Sequence, residues 1–282
     1  MKRFLTDEGI QHFSDFFGID FLSTYIPPKR KTGKGLYIAD LHLPFNHKKF
    51  TATTLRENED AETLYILADL FDMYSMSHYR KTMYKTFKDE FREAYLEFKG
   101  IARLFPKVKL QLGNHDGRFA KWLYDNAPKE MIPFCHFNII EELISLLPNV
   151  EIIAQKIESR EVGYIYQYKN AVFTHIEKSS IVGMKVVQDI HSLIQAKWKH
   201  LYKLNNYDLL IQAHNHSAGT LWVDNTLLVQ IPCLIDISEK AFDYVFDGKF
   251  KGNPPALGYI TAIETNNKID TNSIHLRKYT EY

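Results

Sequence analysis

Val108-Lys109-Leu110-Gln111-Leu112-Gly113-Asn114-His115-Asp116 is the stretch on which the fold turns. Its first five residues alternate apolar and polar as a strand does, and the run ends directly on a glycine followed by an amide, an imidazole and a carboxylate. The same event occurs twice upstream, where Leu36-Tyr37-Ile38-Ala39 runs into Asp40-Leu41-His42 and Leu64-Tyr65-Ile66-Leu67-Ala68 runs into Asp69-Leu70-Phe71-Asp72. It occurs twice downstream, where Ala171-Val172-Phe173-Thr174 leads to His175 and Leu209-Leu210-Ile211-Gln212-Ala213 leads to His214-Asn215-His216. Between the first three runs lie segments with helical spacing, such as Lys85 to Phe105, giving a β-α-β-α rhythm that calls for a buried, partly parallel sheet. In sheets of that kind the carboxyl ends of the strands open on the functional crevice. Here five such ends carry potential ligands.

The second half is richer in strand-like runs, with Val150 to Ala154, Tyr164 to Tyr168, Leu221 to Val223 and Leu227 to Ile231 added to those above. Asp224-Asn225 between two of them reads as a hairpin turn, and Ile181 to Leu204 offers one long helix. Ahead of the first run, residues 1–34 read as a helical leader ending in the linker Pro27-Pro28-Lys29-Arg30-Lys31-Thr32-Gly33-Lys34-Gly35, which leaves 35–282 as the main domain.

Bulk composition narrows the class. A chain of 282 residues with 45% hydrophobic residues has enough apolar surface for a substantial core. A formal net charge of +1 gives no global basic footprint, so a charged partner must be met locally. Cys135 and Cys233 form no C-x-x-C pattern, which argues against a disulfide framework and a thiolate zinc site. No stretch of eighteen apolar residues exists to span a membrane, and Asp7 and Glu8 interrupt the N-terminus before any secretory-type apolar run develops. A cytoplasmic protein with no membrane partner is expected.

Oxygen and imidazole donors without thiolate suit manganese, iron or zinc. In extended chain, residues two apart point to one side, so Asp40 with His42, and His214 with His216, would each present a pair of donors to one locality. Two metals about 3.5–4 Å apart are a recurring device of phosphoryl chemistry.

The order D-x-H, D-x-x-D, G-N-H-D, a single His after a strand, and H-x-H resembles the calcineurin-like metallophosphoesterase superfamily over roughly Gly35 to Pro232. That resemblance implies a mixed α/β fold: a four-layer α-β-β-α sandwich of two packed mixed sheets, with a dinuclear metal site at the strand ends. It implies two divalent ions, manganese foremost and iron or zinc as alternatives. Asp40, His42 and His216 would bind one, Asn114, His175 and His214 the other, and Asp69 would bridge them. His115 would be the catalytic histidine outside the metal shell, Asp116 would orient it, and Asp72 would support the ligands from behind. A metal-bridging hydroxide would attack phosphorus in line. The chain has Ala68, Ile176 and Ala213 where the superfamily usually has glycine. Of these Ile176 is the costly one, if its position needs a positive φ.

Two further features bear on substrate. Arg118, just past the Gly-Asn-His-Asp loop, could hold a phosphate bidentately or be a solvated residue of a helix that starts there and turns Phe119, Trp122 and Leu123 inward. The segment Met73 to Lys85 interleaves aromatics with bases, including Tyr79, Arg80, Lys81 and Lys85. It could line a groove for single-stranded nucleic acid or be an amphipathic helix packed on the core. The expected substrate is a phosphate ester, with a phosphodiester of a nucleotide or DNA first. A phosphomonoester of a protein or small molecule is the alternative, and a catalytically inactive scaffold of the same fold the third reading. His12, His47, His78, His136, His191, His200 and His275 lie in no comparable setting.

Overall fold

Three separate hydrophobic cores divide the chain into layers in the computed structural model, which describes residues 5–77, 81, 83–128, 130, 139–153, 164–178, 180, 182–238, 255–266 and 268–280. Strands β1 (Lys34–Ala39), β2 (Thr63–Leu67), β3 (Lys107–Gln111) and β4 (Val150–Ile152) run parallel. Two later strands, β10 (Gly258–Ile263) and β11 (His275–Lys278), add antiparallel on the other side of β1, giving the order β11-β10-β1-β2-β3-β4. The second sheet has the order β5-β6-β7-β9-β8, from β5 (Tyr164–Tyr168), β6 (Ala171–His175), β7 (Leu209–Gln212), β8 (Gly219–Val223) and β9 (Thr226–Gln230), with β6, β7 and β9 parallel.

Strand alternation assigns each side chain to a core. On β1 and β2, Leu36, Ile38, Leu64 and Ile66 face one way, toward Ile10 and Phe17 of α1 (Asp7–Phe17), Phe50 of α2 (Lys48–Glu57), Phe91, Tyr95 and Phe98 of α3 (Phe87–Ala102), and Leu143 of α5 (Ile139–Ile144). The alternate residues Tyr37, Ala39, Tyr65 and Leu67 face the second sheet and meet Phe173, Leu209, Ile211 and Val229. The far side of that sheet, with Val172, Leu210 and Leu228, packs on Val186, Val187 and Ile190 of α6 (Lys185–Leu193) and on the π-turn Ile194–Trp198 that continues it. Three cores between four layers make an α-β-β-α sandwich of two mixed sheets, as the sequence implies.

Sequence and structure agree on most elements. The helix expected over Lys85 to Phe105 is α3, capped by Thr86, whose hydroxyl accepts from Asp89 N–H at 3.1 Å. The Asp224-Asn225 turn joins β8 to β9, with Asp224 at φ 51°. The helix expected from Ile181 begins at Lys185, Ile181 itself lying outside the described residues. Strands β10 and β11 had no sequence-based assignment, and the C-terminal stretch that carries them returns to β1 rather than to the second sheet. No described helix is long and apolar enough to cross a membrane.

The leader is bound into the first core. α1 ends on Gly18 in the left-handed region (φ 64°), whose N–H returns to Ser14 O. That turn seats Phe17 against Phe91 at 4.8 Å between ring centroids, and Phe21 against Tyr95 at 4.7 Å. Phe17→Ala is therefore expected to cost about 3–5 kcal/mol, the usual range for emptying a buried aromatic site. Chemical denaturation followed by circular dichroism measures it, and a loss under about 1 kcal/mol would detach the leader from the core.

Candidate metal centre

All five donor-bearing segments meet at the carboxyl ends of β1, β2, β3, β6 and β7. Among the described residues three sets of three donors have ligand atoms within 4.8 Å of one another: Asp40-His42-His216 and Asp69-His175-His214, which share no residue, and His42-Asp72-His115, which overlaps the first. The first of these comprises the residues implied for one ion, and the second joins the implied bridge, Asp69, to His175 and His214, two of the three residues implied for the other. Asp69 Oδ2 lies between the sets, 3.3 Å from His175 Nε2 and 3.8 Å from His42 Nε2. Asp40 Oδ1 is 3.2 Å from His175 Nε2 and 3.5 Å from His216 Nε2.

The backbone reaches this geometry differently from the extended pairs expected. Asp40 (φ 48°), His42 (φ 51°), His214 (φ 73°) and His216 (φ 51°) are all left-handed, as are Ala68 (φ 70°) and Asp69 (φ 47°). Each D-x-H and H-x-H pair thus converges through two αL residues flanking a middle one, not through strand alternation. Non-glycine αL residues cost of order 1–3 kcal/mol each and persist where their surroundings fix them. Here the bond from Asp40 N–H to Ala68 O (3.2 Å) and that from His42 N–H to Asp69 O (2.9 Å) lash the first two loops together. The three positions where the superfamily usually has glycine differ from one another. Ile176 has no positive φ and is buried in the core under α6, whereas the left-handed residue among the three replacements is Ala68.

Electrostatics favour cations. Burial alone would raise the pKa of Asp40, Asp69 and Asp72. Instead His216 and His175 beside Asp40, His175 and His115 beside Asp69, and His115 and His42 beside Asp72 hold all three carboxyls well below the usual range. Burial would lower His175, yet Asp69 and Asp40 push it up to about 10. Burial and the neighbouring His175 push His214 down to about 3. Three ionised carboxylates in a dry pocket thus draw positive charge onto whatever can supply it. The donors also fit a metal atom by atom. Asn114 Oδ1 is buried without a hydrogen-bond partner, His175 turns Nε2 toward Asp40 and Asp69, and His42 Nδ1 is spent on Asp72 Oδ2 at 2.8 Å, which turns its Nε2 toward Asp69.

His115 sits beside this cluster. Its Nδ1 lies 3.1 Å from Asp72 O and 3.3 Å from Asp72 Oδ2, both acceptors, while its Nε2 lies 3.0 Å from the Arg118 guanidinium, a pure donor. The ring therefore carries its proton on Nδ1. Arg118 also reaches Asp72 O at 2.9 Å and Oδ1 at 3.4 Å, which places its charge inside the site. Asp116 does not contact the His115 ring in the way expected of an orienting residue. Its carboxylate accepts from Gly113 N–H (2.9 Å), Phe71 N–H (2.9 Å) and Leu70 N–H (3.3 Å), tying the loop of Gly113 to the loop of Asp69. Burial and the charge of Asp69 raise it to about 7. Asp72 does the orienting instead.

Glu90 went unnoticed in the sequence. Buried on α3, it accepts from Tyr74 N–H (2.5 Å) and Ser75 N–H (2.7 Å) and so fixes the turn that follows Asp72. A charged residue inside the apolar stripe Phe87, Phe91, Ala94, Tyr95, Phe98 was its sequence signal.

The aromatic-basic segment gives less to a substrate groove. Tyr79 and Arg80 lie outside the described residues. Lys85 is paired with Glu93 at 2.5 Å and Lys81 donates to Ser75 O at 2.5 Å, while Tyr74 is buried. The helix α4 (Arg118–Asn126) starts where expected, but Trp122 is 44% exposed instead of inward, and only its neighbour Phe119 stacks on Phe87, at 4.9 Å.

No protein-family model matches the chain, and no curated protein matches it. Solved structures do overlap it: an archaeal phosphodiesterase (16% identity, TM-score 0.37, covering 87% of this chain and 98% of that one), Vps29 of Chaetomium thermophilum (10%, 0.40, 87% and 96%), and a metallophosphoesterase of Sphaerobacter thermophilus (12%, 0.39, 88% and 89%). Overlaps this loose leave the geometry of the site as the ground for its function.

Gly113 tests that geometry. A Cβ there would fall 2.1 Å from Asp69 Oδ1 and 2.7 Å from Asp69 N, so Gly113→Ala must push the Asp69 loop away. The variant is expected to lose about 1–3 kcal/mol of stability by overpacking and to bind manganese at least tenfold more weakly. Thermal melting and equilibrium dialysis read the two effects separately.

Proposed function

We propose that the chain is a dinuclear metal-dependent phosphoesterase. The observation that carries this reading is the convergence of Asp40, His42 and His216 with Asp69, His175 and His214 around one shared carboxylate, beside a histidine with its own carboxylate and guanidinium. Two divalent ions held there, manganese first, would supply a deprotonated water at neutral pH and neutralise charge on the phosphate oxygens.

The chain's own residues do the rest. Arg118 donates to a non-bridging phosphate oxygen, leaving His115 Nε2 free to face the ester oxygen. Once solvent has supplied a second proton, to Nε2, His115 passes it to the alkoxide as the ester P–O bond breaks, and the Asp72 carboxylate behind Nδ1 stabilises the imidazolium until it does. Asp116 and Glu90 hold the loops that carry these groups. We infer a phosphodiester of a nucleotide or nucleic acid as substrate. A diester presents one negative charge at phosphorus, which two metal ions and the single guanidinium of Arg118 answer without a further cation.

Thorough chelation is expected to abolish hydrolysis of an aryl phosphate ester and manganese to restore it. Survival of activity without metal overturns the reading. His115→Ala should keep its metal and lose turnover by about 10²–10⁴-fold, less for an ester with a strongly acidic leaving alcohol. Asp69→Asn should reduce metal content more than any other single ligand change, measured by elemental analysis. In a manganese-loaded panel, preference for diesters over monoesters supports the substrate assignment. The reverse favours a phosphomonoesterase, and indifference to every ester favours an inactive scaffold.

A further inference from the structure

A row of three buried polar residues crosses the second sheet one step before the metal donors. Thr174 on β6 pairs in register with Gln212 on β7, and Gln212 with Gln230 on β9. All three are almost fully buried, and they follow Val172, Leu210 and Leu228, which lie two residues earlier on the side that faces α6. An unpaired amide at such a place costs roughly 1–3 kcal/mol, so a retained one points to what it binds.

Gln212 is fully paired. Its Nε2 donates to Ala213 O at 2.6 Å and Ile176 O at 3.0 Å and lies 3.2 Å from Asn215 Oδ1, while its Oε1 accepts from Thr174 Oγ1 at 2.5 Å. The carbonyls accept and cannot donate, which fixes the orientation of the amide. Through these bonds one side chain holds the residue after His175, the residue before His214 and the residue between His214 and His216. Asn215 extends the tie by donating to Lys178 O, further along the loop that leaves His175. Gln230 Oε1 accepts from Met184 N–H at 3.1 Å, anchoring the start of α6 to the same row.

We propose that Gln212 is a positioning residue that sets the spacing of His175 and His214, and through them the affinity of the Asn114-His175-His214 ion. The inference rests on the dinuclear reading above. It also accounts for the absence of glycine at two of the three usual positions. With the carbonyls of Ile176 and Ala213 held from below by an amide, the loops need no left-handed glycine to bring the imidazoles together, and Ile176 is free to fill the core under α6.

The test is a manganese titration of wild type and Gln212→Met, followed by equilibrium dialysis and by the electron paramagnetic resonance signal of a coupled manganese pair, with circular dichroism and melting of the metal-free proteins alongside. Wild type should bind two ions and show the coupled signal. Gln212→Met should bind the first ion nearly as wild type does and the second about 10–100-fold more weakly, recovering the coupled signal only at high manganese. Asn215→Ala, which leaves the buried amide in place, should show the same pattern in smaller measure and decides the matter if Gln212→Met does not fold. A Gln212→Met protein that melts lower yet binds both ions at wild-type affinity overturns the positioning role and leaves the metal centre standing. A folded wild type that binds no pair overturns the dinuclear reading itself.

Discussion

Three ionised carboxylates, Asp40, Asp69 and Asp72, buried together at one end of two packed sheets, are the constraint around which the rest is arranged. Removing a single carboxylate from water costs several kcal/mol even after relaxation, so three in contact persist only if positive charge is brought to them. Five histidines, His42, His115, His175, His214 and His216, and Arg118 surround them, and Asp69 and Asp40 push His175 up to about 10. Divalent cations would meet the same demand with fewer groups. The site is therefore expensive as a structural feature and well suited as a binding one.

Its support comes from the backbone as much as from side chains. Left-handed residues at Asp40, His42, Ala68, Asp69, His214 and His216 are costly individually, and each is held by a specific bond or by close contact between loops. Asp116 spends a buried carboxylate on three backbone N–H groups, Glu90 spends another on two, and Gln212 ties two loops from beneath. These groups never touch a substrate, but they govern whether the donors stand within reach of one another. The strain and its restraints lie at the same end of the sandwich, while the three apolar cores supply the stability that tolerates them.

Arg118 brings a positive charge to the same cluster. Its guanidinium is bonded to Asp72 O and lies 3.0 Å from His115 Nε2, at the start of the helix that carries it. Lys81 and Lys85, by contrast, are engaged with Ser75 and Glu93. Of these three basic side chains, Arg118 is thus the one that reaches the buried carboxylates.

Much of this was legible in the chain because each donor directly follows a short apolar run. A strand that ends on Asp40, Asp69 or Asn114 delivers it to the carboxyl edge of a parallel sheet whatever else the chain does, and the helix Phe87–Ala102 follows from its apolar stripe. Which carboxylate serves which histidine was not legible. Asp72 and Asp116 are both acids near His115 in sequence, and only the return of the loops put Asp72 against its ring and turned Asp116 toward three backbone amides. Likewise, Glu90 and Gln212 look like a helix acid and a strand amide until packing sets them beneath the loops they hold. Trp122 shows the converse, a spacing that suggested an inward face on a helix with no buried residue. The sequence by itself determined the donors, their order and the strands that carry them, because alternation and run ends are local properties. The tertiary structure decided the left-handed turns, the bonding partners and the pairing of β10 with β1, because each depends on groups far apart in the chain coming together.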